Sequence, residues 1–527
     1  MALVLVMLVT MVTLGLVSVV LIRTVGSQDI SRHDQNWNAS LASSEAGIDD
    51  YLYRLNRNGN YWLYDKNNPP PDGNLAFAQY VPVPGVSSDS LFTYTPDASN
   101  IQVDGTIKLT VSGRVRNATR TVYATLRRRS FLDYLYYTDY ETKDPARYVK
   151  PPDPFTPAEA QVKCAKHYYE GRDPLCIKIS FISQDTINGP LHTNDAMNIS
   201  GNPQYLGNTS TSWDDPSGKR WLGSGSPSFA NPGDPKYVPP LTMPPTNNSI
   251  KAHTNPLLGG TGCLYTGPTQ VTLNSAGTMN VVSPLTQDPM NAGCGPGTGL
   301  PLPANGVIYV QNVPSDPGDP NYWGTCPTGF GQPCSSSPYL YPKNLPVPIN
   351  NDLTIYNWRD GDTFVSGTLK GQLTLAAEHN VVIVDHTRYE SGVTGSDLLG
   401  LVANNYVEIF HPVDCTQGNN SGCLLNRKNG TKFSNPVIQA ANLSVQHSFI
   451  VQHYEAGTSL GTLNVTGVIA QRYRGPVGTF CCSPTQIYSG YAKNYVYDGR
   501  LKYLSPPHFL DPVKASWQTV TWGEIGS

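Results

Sequence analysis

The chain has 527 residues, more than one compact domain usually holds. A formal net charge of −3, with 14% of residues charged, leaves no basic surface of the kind nucleic acid needs. Gly (48), Pro (45) and Tyr (31) favour turns and short strands, at a level below that of disordered chains.

Residues 2–22, "ALVLVMLVTMVTLGLVSVVLI", carry no charge, and about 20 apolar residues span a bilayer. Nothing basic precedes the run, and it is longer than the apolar core of a secretory signal. A retained transmembrane helix is therefore expected. The apolar beat then continues at helical spacing through Ile30, Trp37, Leu41, Ser44, Ile48, Leu52 and Leu55, and Gly59 between Asn58 and Asn60 is a stop signal. One helix over about 2–57, roughly 80 Å long, follows. Its first half suits lipid. Its second half is an amphipathic extension that suits a protein partner or the protein's own head.

A Pro- and Asn-rich connector leads into "IQVDGTIKLTVSGRVRNATRTVYATLRRR". Ile107, Leu109 and Val111 alternate, as do Val122, Ala124 and Leu126, so the stretch predicts a hairpin that folds against the helix stripe. Arg127 to Arg129 read as a solvated sheet edge. A small β domain over 58–130 is expected.

Residues 131–170 are Tyr- and Pro-rich and read as a linker or surface strap. Beyond them, short runs with an apolar beat of two alternate with Gly and Asn turns: "KISFIS", "GPLHTND", "TFVSGTLKGQLTLAAEHNVVIVDHT", "LLGLVANNYVEIFHPV", "GTLNVTGVIAQRYRG". No exact period survives. The fold class is mainly β: a right-handed parallel β-helix over 131–527 with a loop-rich insert at about 201–348. A β-sandwich is the alternative.

Ten cysteines are present, several in close sequential pairs: Cys164 and Cys176, Cys326 and Cys334, Cys415 and Cys423. Cys263 and Cys294 fall in the insert. No C-x-x-C pair suggests a zinc knuckle. Local disulfides in an oxidising compartment are expected, with the connectivity open. Cys481 and Cys482 are adjacent, so each is expected to bond elsewhere.

Paired carboxylates carry glycoside chemistry. Asp360 and Asp362 in "RDGD", Asp385 in "VDHT" and Glu408 are the candidates. However, Asp-Gly-Asp is an ordinary turn, Asp385 ends a strand, and calcium needs six to eight oxygens that the sequence does not supply in register. His192, His379, His386, His411, His447 and His453 are scattered. His447 and His453 would share one face of a strand, without a third ligand. There is no nucleophile elbow, Walker loop or dinucleotide loop. The expectation is no catalytic residue, no metal and no cofactor.

The apolar helix followed by "SLASSEAGIDDYLYRL" resembles the N-terminal region of type IV pilus assembly proteins of the PilX type, which are pilin-like minor subunits. Leu41, Ala42, Glu45, Ala46 and Gly47 match their "A-x-x-A-E-A-G/A" element. "INGPLHTND" and "LVANNYVEIFHPV" also look like stretches of some large PilX-type proteins. The resemblance implies an assembly face of Ile30, Trp37, Leu41, Glu45, Ile48 and Leu52. It also implies other pilin-like subunits and the membrane as partners. The place would be a bacterial cell membrane, crossed once, with the C-terminal region outside and incorporation into a pilus open. Arg23 and Arg32 weakly oppose that orientation, and the cysteines favour it. The family's basic leader and its Glu at the fifth mature position are not seen. Two expectations stay open: a start upstream of Met1, or a chain without that leader. The head is expected to bind a surface ligand, as an adhesin would, and not to catalyse. The alternative is a membrane-tethered β-helix enzyme acting on cell-surface polysaccharide.

Overall fold

The computed structural model describes residues 2–99, 101, 105–326, 356–411, 413–414, 424–425, 433–480, 487–513 and 516–525. The chain divides into two compact units, one of Met1–Arg129 with Ser516–Ser527 and one of Ser130–Ala515.

In the first unit a single helix, α1, spans Ala2–Arg57. At 1.5 Å per residue its 56 residues measure about 84 Å. No proline interrupts it, and the chain leaves it through Asn58. An antiparallel sheet follows, made of β1 (Val81–Pro82), β2 (Ser90–Asp97), β3 (Thr106–Val115) and β4 (Ala118–Arg128). The register sets Ile107 against Leu126, Leu109 against Ala124 and Val111 against Val122, so the expected hairpin and its apolar face are both present. Those six side chains bury against Ile48, Tyr51 and Leu55 of the helix.

Two glycines let helix and sheet approach this closely. A Cβ on Gly113 would lie 2.2 Å from the Ser40 carbonyl oxygen, and one on Gly47 would lie 2.5 Å from Val111 Cγ1. Ser44 uses the proximity: its hydroxyl donates to the carbonyl of Arg120 on β4 at 3.0 Å.

The sheet does not end at β4. The C-terminal strand Trp517–Glu524 pairs antiparallel with it, Gln518 opposite Arg127 and Trp517 opposite Arg128. This corrects two expectations. Arg127 is buried on an inner strand and does not belong to a solvated edge. The second domain does not run to residue 527, because the last residues return to the first unit. The physical reason is the open hydrogen-bonding row of β4, which the returning strand pairs. Helix and small sheet also share one core, so residues 1–57 are not separate from 58–130.

The second unit is built from parallel ladders. In the longest, ten strands follow in this order: Cys263–Thr266, Val307–Gln311, Gln372–Ala377, Leu398–Ala403, Val437–Ser444, Ser459–Tyr473, Tyr136–Tyr140, Leu191–Thr193, Thr209–Thr211 and Lys236–Tyr237. A second ladder joins Thr269–Asn274, Thr363–Leu369, Val381–Tyr389, Val407–Ile409 and Phe449–Val451. A third joins Val437–Ser444, Ser459–Tyr473, Ile487–Tyr497, Thr186–Asn188, Gln204–Tyr205 and Ser228–Phe229. Between 372 and 473 the chain returns repeatedly to the first ladder. Most strands from 204 to 311 join these same ladders, so that stretch, expected as part of a loop-rich interruption, contributes rungs. Residues 312–326 of the expected insert carry no strand, and residues 327–348 lie outside the described residues.

Register explains the burial. One row of the first ladder runs Cys263, Ile308, Leu375, Leu401, Asn442, Ile469, Tyr136, Leu191, and all but Asn442 belong to the largest apolar core. Asn442 is tolerated inside because its amide donates to the carbonyls of Ala440 and Val468. The neighbouring row, Leu264, Tyr309, Ala376, Val402, Leu443, Ala470 and Tyr137, points the other way into a second core. Buried on both faces, the strands read as continuous apolar runs, as parallel sheets do.

The ladder order is not the chain order. The first strand, Tyr136–Tyr140, lies in the middle, beside Ser459–Tyr473. The chain builds outward from it to Lys236–Tyr237 and then crosses to the far end at Cys263. The crossing segment follows the ladder rung by rung. The Leu241 carbonyl accepts from Tyr137, that of Pro244 from Arg472 and that of Pro245 from Gln446. The Asn247 amide donates to the Ala377 carbonyl, and the Asn247 Oδ1 accepts from Tyr309. Leu241, Met243 and Ile250 cover the outer apolar row. Phe509, on a later segment, covers it too.

Candidate functional site

The helix stripe divides in two. Ala2–Leu21 is long and apolar enough to cross a membrane, and none of it is buried. Farther along, Ile30 is exposed and Trp37 half-exposed, with the Arg120 guanidinium 5.1 Å from the ring centroid. Arg120 in turn grips Glu524 of the C-terminal strand with two N–H donors. Leu41 and Leu52 are partly buried in the unit's own core and Ile48 fully so, while Glu45 faces outward. The expected assembly face is therefore split: Ile48, with most of Leu41 and Leu52, serves the protein itself, and Ile30, Trp37 and Glu45 remain accessible. Tyr51, the bulkiest buried group on this face, falls outside the expected stripe. Its hydroxyl has no hydrogen-bond partner among the described residues, and burial pushes its pKa well up. An i, i+3 reading from Ile48 would have found it.

Near the helix end, Asp50 Oδ2 accepts from Arg54 Nε at 2.9 Å and from the Tyr94 hydroxyl at 3.1 Å. Arg54 also donates to Asp72 at 2.7 Å. These pairs pin the end of α1 to the loop before the sheet.

Two disulfides, Cys164–Cys176 and Cys263–Cys294, are formed, and Cys326 is disulfide-bonded as well. The first joins a pair close in sequence, as expected. Cys334, Cys415, Cys423, Cys481 and Cys482 lie outside the described residues.

The carboxylates separate into three environments. Asp385 is exposed and accepts the His386 N–H at 2.7 Å. Glu408 is buried with both oxygens engaged, Oε1 by Arg147 at 2.6 Å and Oε2 by Gln452 at 2.7 Å. Asp360 and Asp362 come together with His379, one ligand atom from each lying within 4.8 Å of the others. In the sequence Asp360 and Asp362 form an ordinary turn pattern and His379 is one of several scattered histidines. The ladder brings them together, because Thr363 pairs with Val381. His447 and His453 do not share a strand face. The strand is Phe449–Val451, His447 precedes it and bonds Asp144, and His453 follows in a turn.

A buried ionic group lies at the junction of the two arms of the first ladder. Arg474 pairs with Glu141, Arg172 with Asp195, and Lys493 with Asp185. Tyr168 and Ala196 also donate backbone N–H groups to Asp195. Each charge has a counter-charge, which is what burial of ions requires.

No protein-family model matches the chain, and no curated protein matches it. Among solved structures it is similar to the competence-associated pilin ComZ from Thermus thermophilus. The identity is 12%, the match covers 93% of this chain and 97% of that one, and the TM-score is 0.24. A likeness this loose does not fix the fold.

Proposed function

We propose that the chain is a pilin-like minor subunit or assembly factor of a type IV pilus, rooted in the membrane by α1. The observation that carries this reading is the helix itself. One unbroken element joins an apolar run long enough for a bilayer to a stretch seated on a small antiparallel sheet. A soluble protein gains nothing from leaving some 20 apolar residues unburied. A subunit that stores its helix in lipid and then packs it among other such helices needs that arrangement. Ile30, Trp37 and Glu45 are the outward positions available for that packing. The PilX-type resemblance of residues 40–55 supports the same reading.

The second unit, on this proposal, is a right-handed parallel β-helix held outside the membrane. Parallel pairing in repeated ladders favours it over a β-sandwich, whose sheets are antiparallel. The disulfides agree with an oxidising compartment. Its role is to bind a surface ligand, as an adhesin does, and not to catalyse.

Fractionation tests the anchoring. The full chain is expected to stay in membranes washed at alkaline pH, and a chain lacking residues 2–21 to appear in the soluble fraction. Release of the full chain by the wash would overturn the proposal.

A further inference from the structure

Asp362 is wholly buried, yet only one of its oxygens is engaged. Oδ1 accepts from the Asn380 N–H at 3.1 Å and lies 2.7 Å from His379 Nδ1. Oδ2 has no hydrogen-bond partner among the described residues. A buried carboxylate oxygen without a partner is costly, and native structures usually answer it with a ligand, an ion or a water. Beside this carboxylate lies the rest of a ligand set, one atom each of Asp360, Asp362 and His379 falling within 4.8 Å of the others. Asp360 Oδ2 is 3.8 Å from the same His379 nitrogen, and both of these side chains are about 30% exposed, so the cluster opens to solvent.

The backbone holds the set in place. The Gly361 N–H donates to Asn312 Oδ1 at 2.7 Å, and the Asp360 N–H to the Asn357 carbonyl at 3.0 Å. A Cβ on Gly361 would lie 2.6 Å from the Gln311 backbone, so the turn between the two aspartates cannot move toward the ladder.

We propose that Asp360, Asp362 and His379 form a binding site for a first-row divalent cation of the zinc class. One imidazole nitrogen and two carboxylates make a mixed nitrogen–oxygen set with charge to match a dication. Calcium and magnesium prefer all-oxygen shells with more ligands than this turn offers. Ligands at about 2.1 Å from a tetrahedral ion stand about 3.4 Å apart, and the distances from the His379 nitrogen fall on either side of that spacing, 2.7 Å to Asp362 Oδ1 and 3.8 Å to Asp360 Oδ2. The open side leaves a position for water or for a group from a partner. The ion would tie the turn before Thr363–Leu369 to the turn before Val381–Tyr389, two neighbouring rungs of the second ladder. The inference is independent of the pilin reading.

The test is zinc binding by the purified full chain in detergent, stripped with chelator and followed by calorimetry and by metal content after dialysis. Wild type is expected to retain about one equivalent of zinc. Asp360→Asn and His379→Gln, both at half-exposed positions, are expected to weaken that binding by tenfold or more. Asp362→Asn should abolish it, and circular dichroism shows whether this variant folds; if it does not, the other two decide. Sites made by other histidines would be common to all variants. Equal zinc binding in wild type, Asp360→Asn and His379→Gln would overturn the site. Displacement of zinc by millimolar calcium would overturn the ion class.

Discussion

Arg474 Nη1 donates to Glu141 Oε2 at 2.8 Å, and 333 residues separate the two in sequence. Both side chains are buried. Glu141 follows the first strand of the long ladder and Arg474 follows its last long strand, so the pair closes the place where the chain, having built both arms, meets its own beginning. The Arg474 guanidinium also lies 3.5 Å from the Phe181 ring centroid. Burial pushes the Glu141 carboxyl above its ordinary range in spite of Arg474, so attraction does not fully offset the loss of water. Arg474→Met should therefore cost about 3–5 kcal/mol by stranding a buried carboxylate, and the double variant Arg474→Met, Glu141→Leu should recover much of the loss. Chemical denaturation of the second unit reads both.

Helix α1 rests on β3 at Gly113. Gly113→Val would press a side chain into the Ser40 carbonyl and should destabilise the first unit by about 1–3 kcal/mol. Hydrogen exchange of residues 40–55 is expected to rise, while the parallel ladders of the second unit keep their protection.

The C-terminal strand belongs to the same sheet. Asn56 at the helix end accepts the Trp517 N–H at 2.6 Å and donates to its carbonyl at 3.3 Å. Removing residues 516–527 should open the β4 edge and take the buried Trp517 out of the core. Faster exchange along β4 and a lower Tm for the first unit are expected. Unchanged β4 protection would refute the pairing.

His167 offers a pH dependence. Burial would lower its pKa, but Asp139, bonded at 3.2 Å, with Asp195 and Glu170 nearby, outweighs burial and raises it above the ordinary 6.5. The folded state therefore holds this proton more tightly than the unfolded chain. The stabilisation is complete below about pH 6.5 and disappears as pH rises through the raised value. Thermal melts of wild type and His167→Gln from pH 5.5 to 9 should differ most at the acid end and converge at the alkaline end.

The periodic parts of the fold were legible in the sequence. The stripe from Ile48 to Leu55 and the alternation of Val111 and Val122 have fixed periods, and both found the partners those periods demand. Runs such as "VVIV" announced strands with an apolar beat of two, and their burial on both faces came only with the parallel ladders. What could not be read was order in space. Nothing local in Tyr136–Tyr140 says that its neighbour is a strand 333 positions away, and nothing in "WQTVTW" names β4. The cluster of Asp360, Asp362 and His379 was hidden for the same reason. Each residue alone is a turn aspartate or a stray histidine, and only parallel pairing of Thr363 with Val381 makes them one group. Tyr51 was missed because a tyrosine fits a surface as readily as a core.

The central claim is that α1 is an assembly helix in the membrane, and site-specific photo-crosslinking from Ile30 tests it most directly. Ile30 lies beyond the apolar run with its side chain exposed. With a photoreactive residue there, irradiation of intact membranes is predicted to yield an adduct that mass spectrometry identifies as a second protein with a pilin-like N-terminal helix. An adduct only with soluble proteins, from a chain that does not sediment with membranes, would contradict the account.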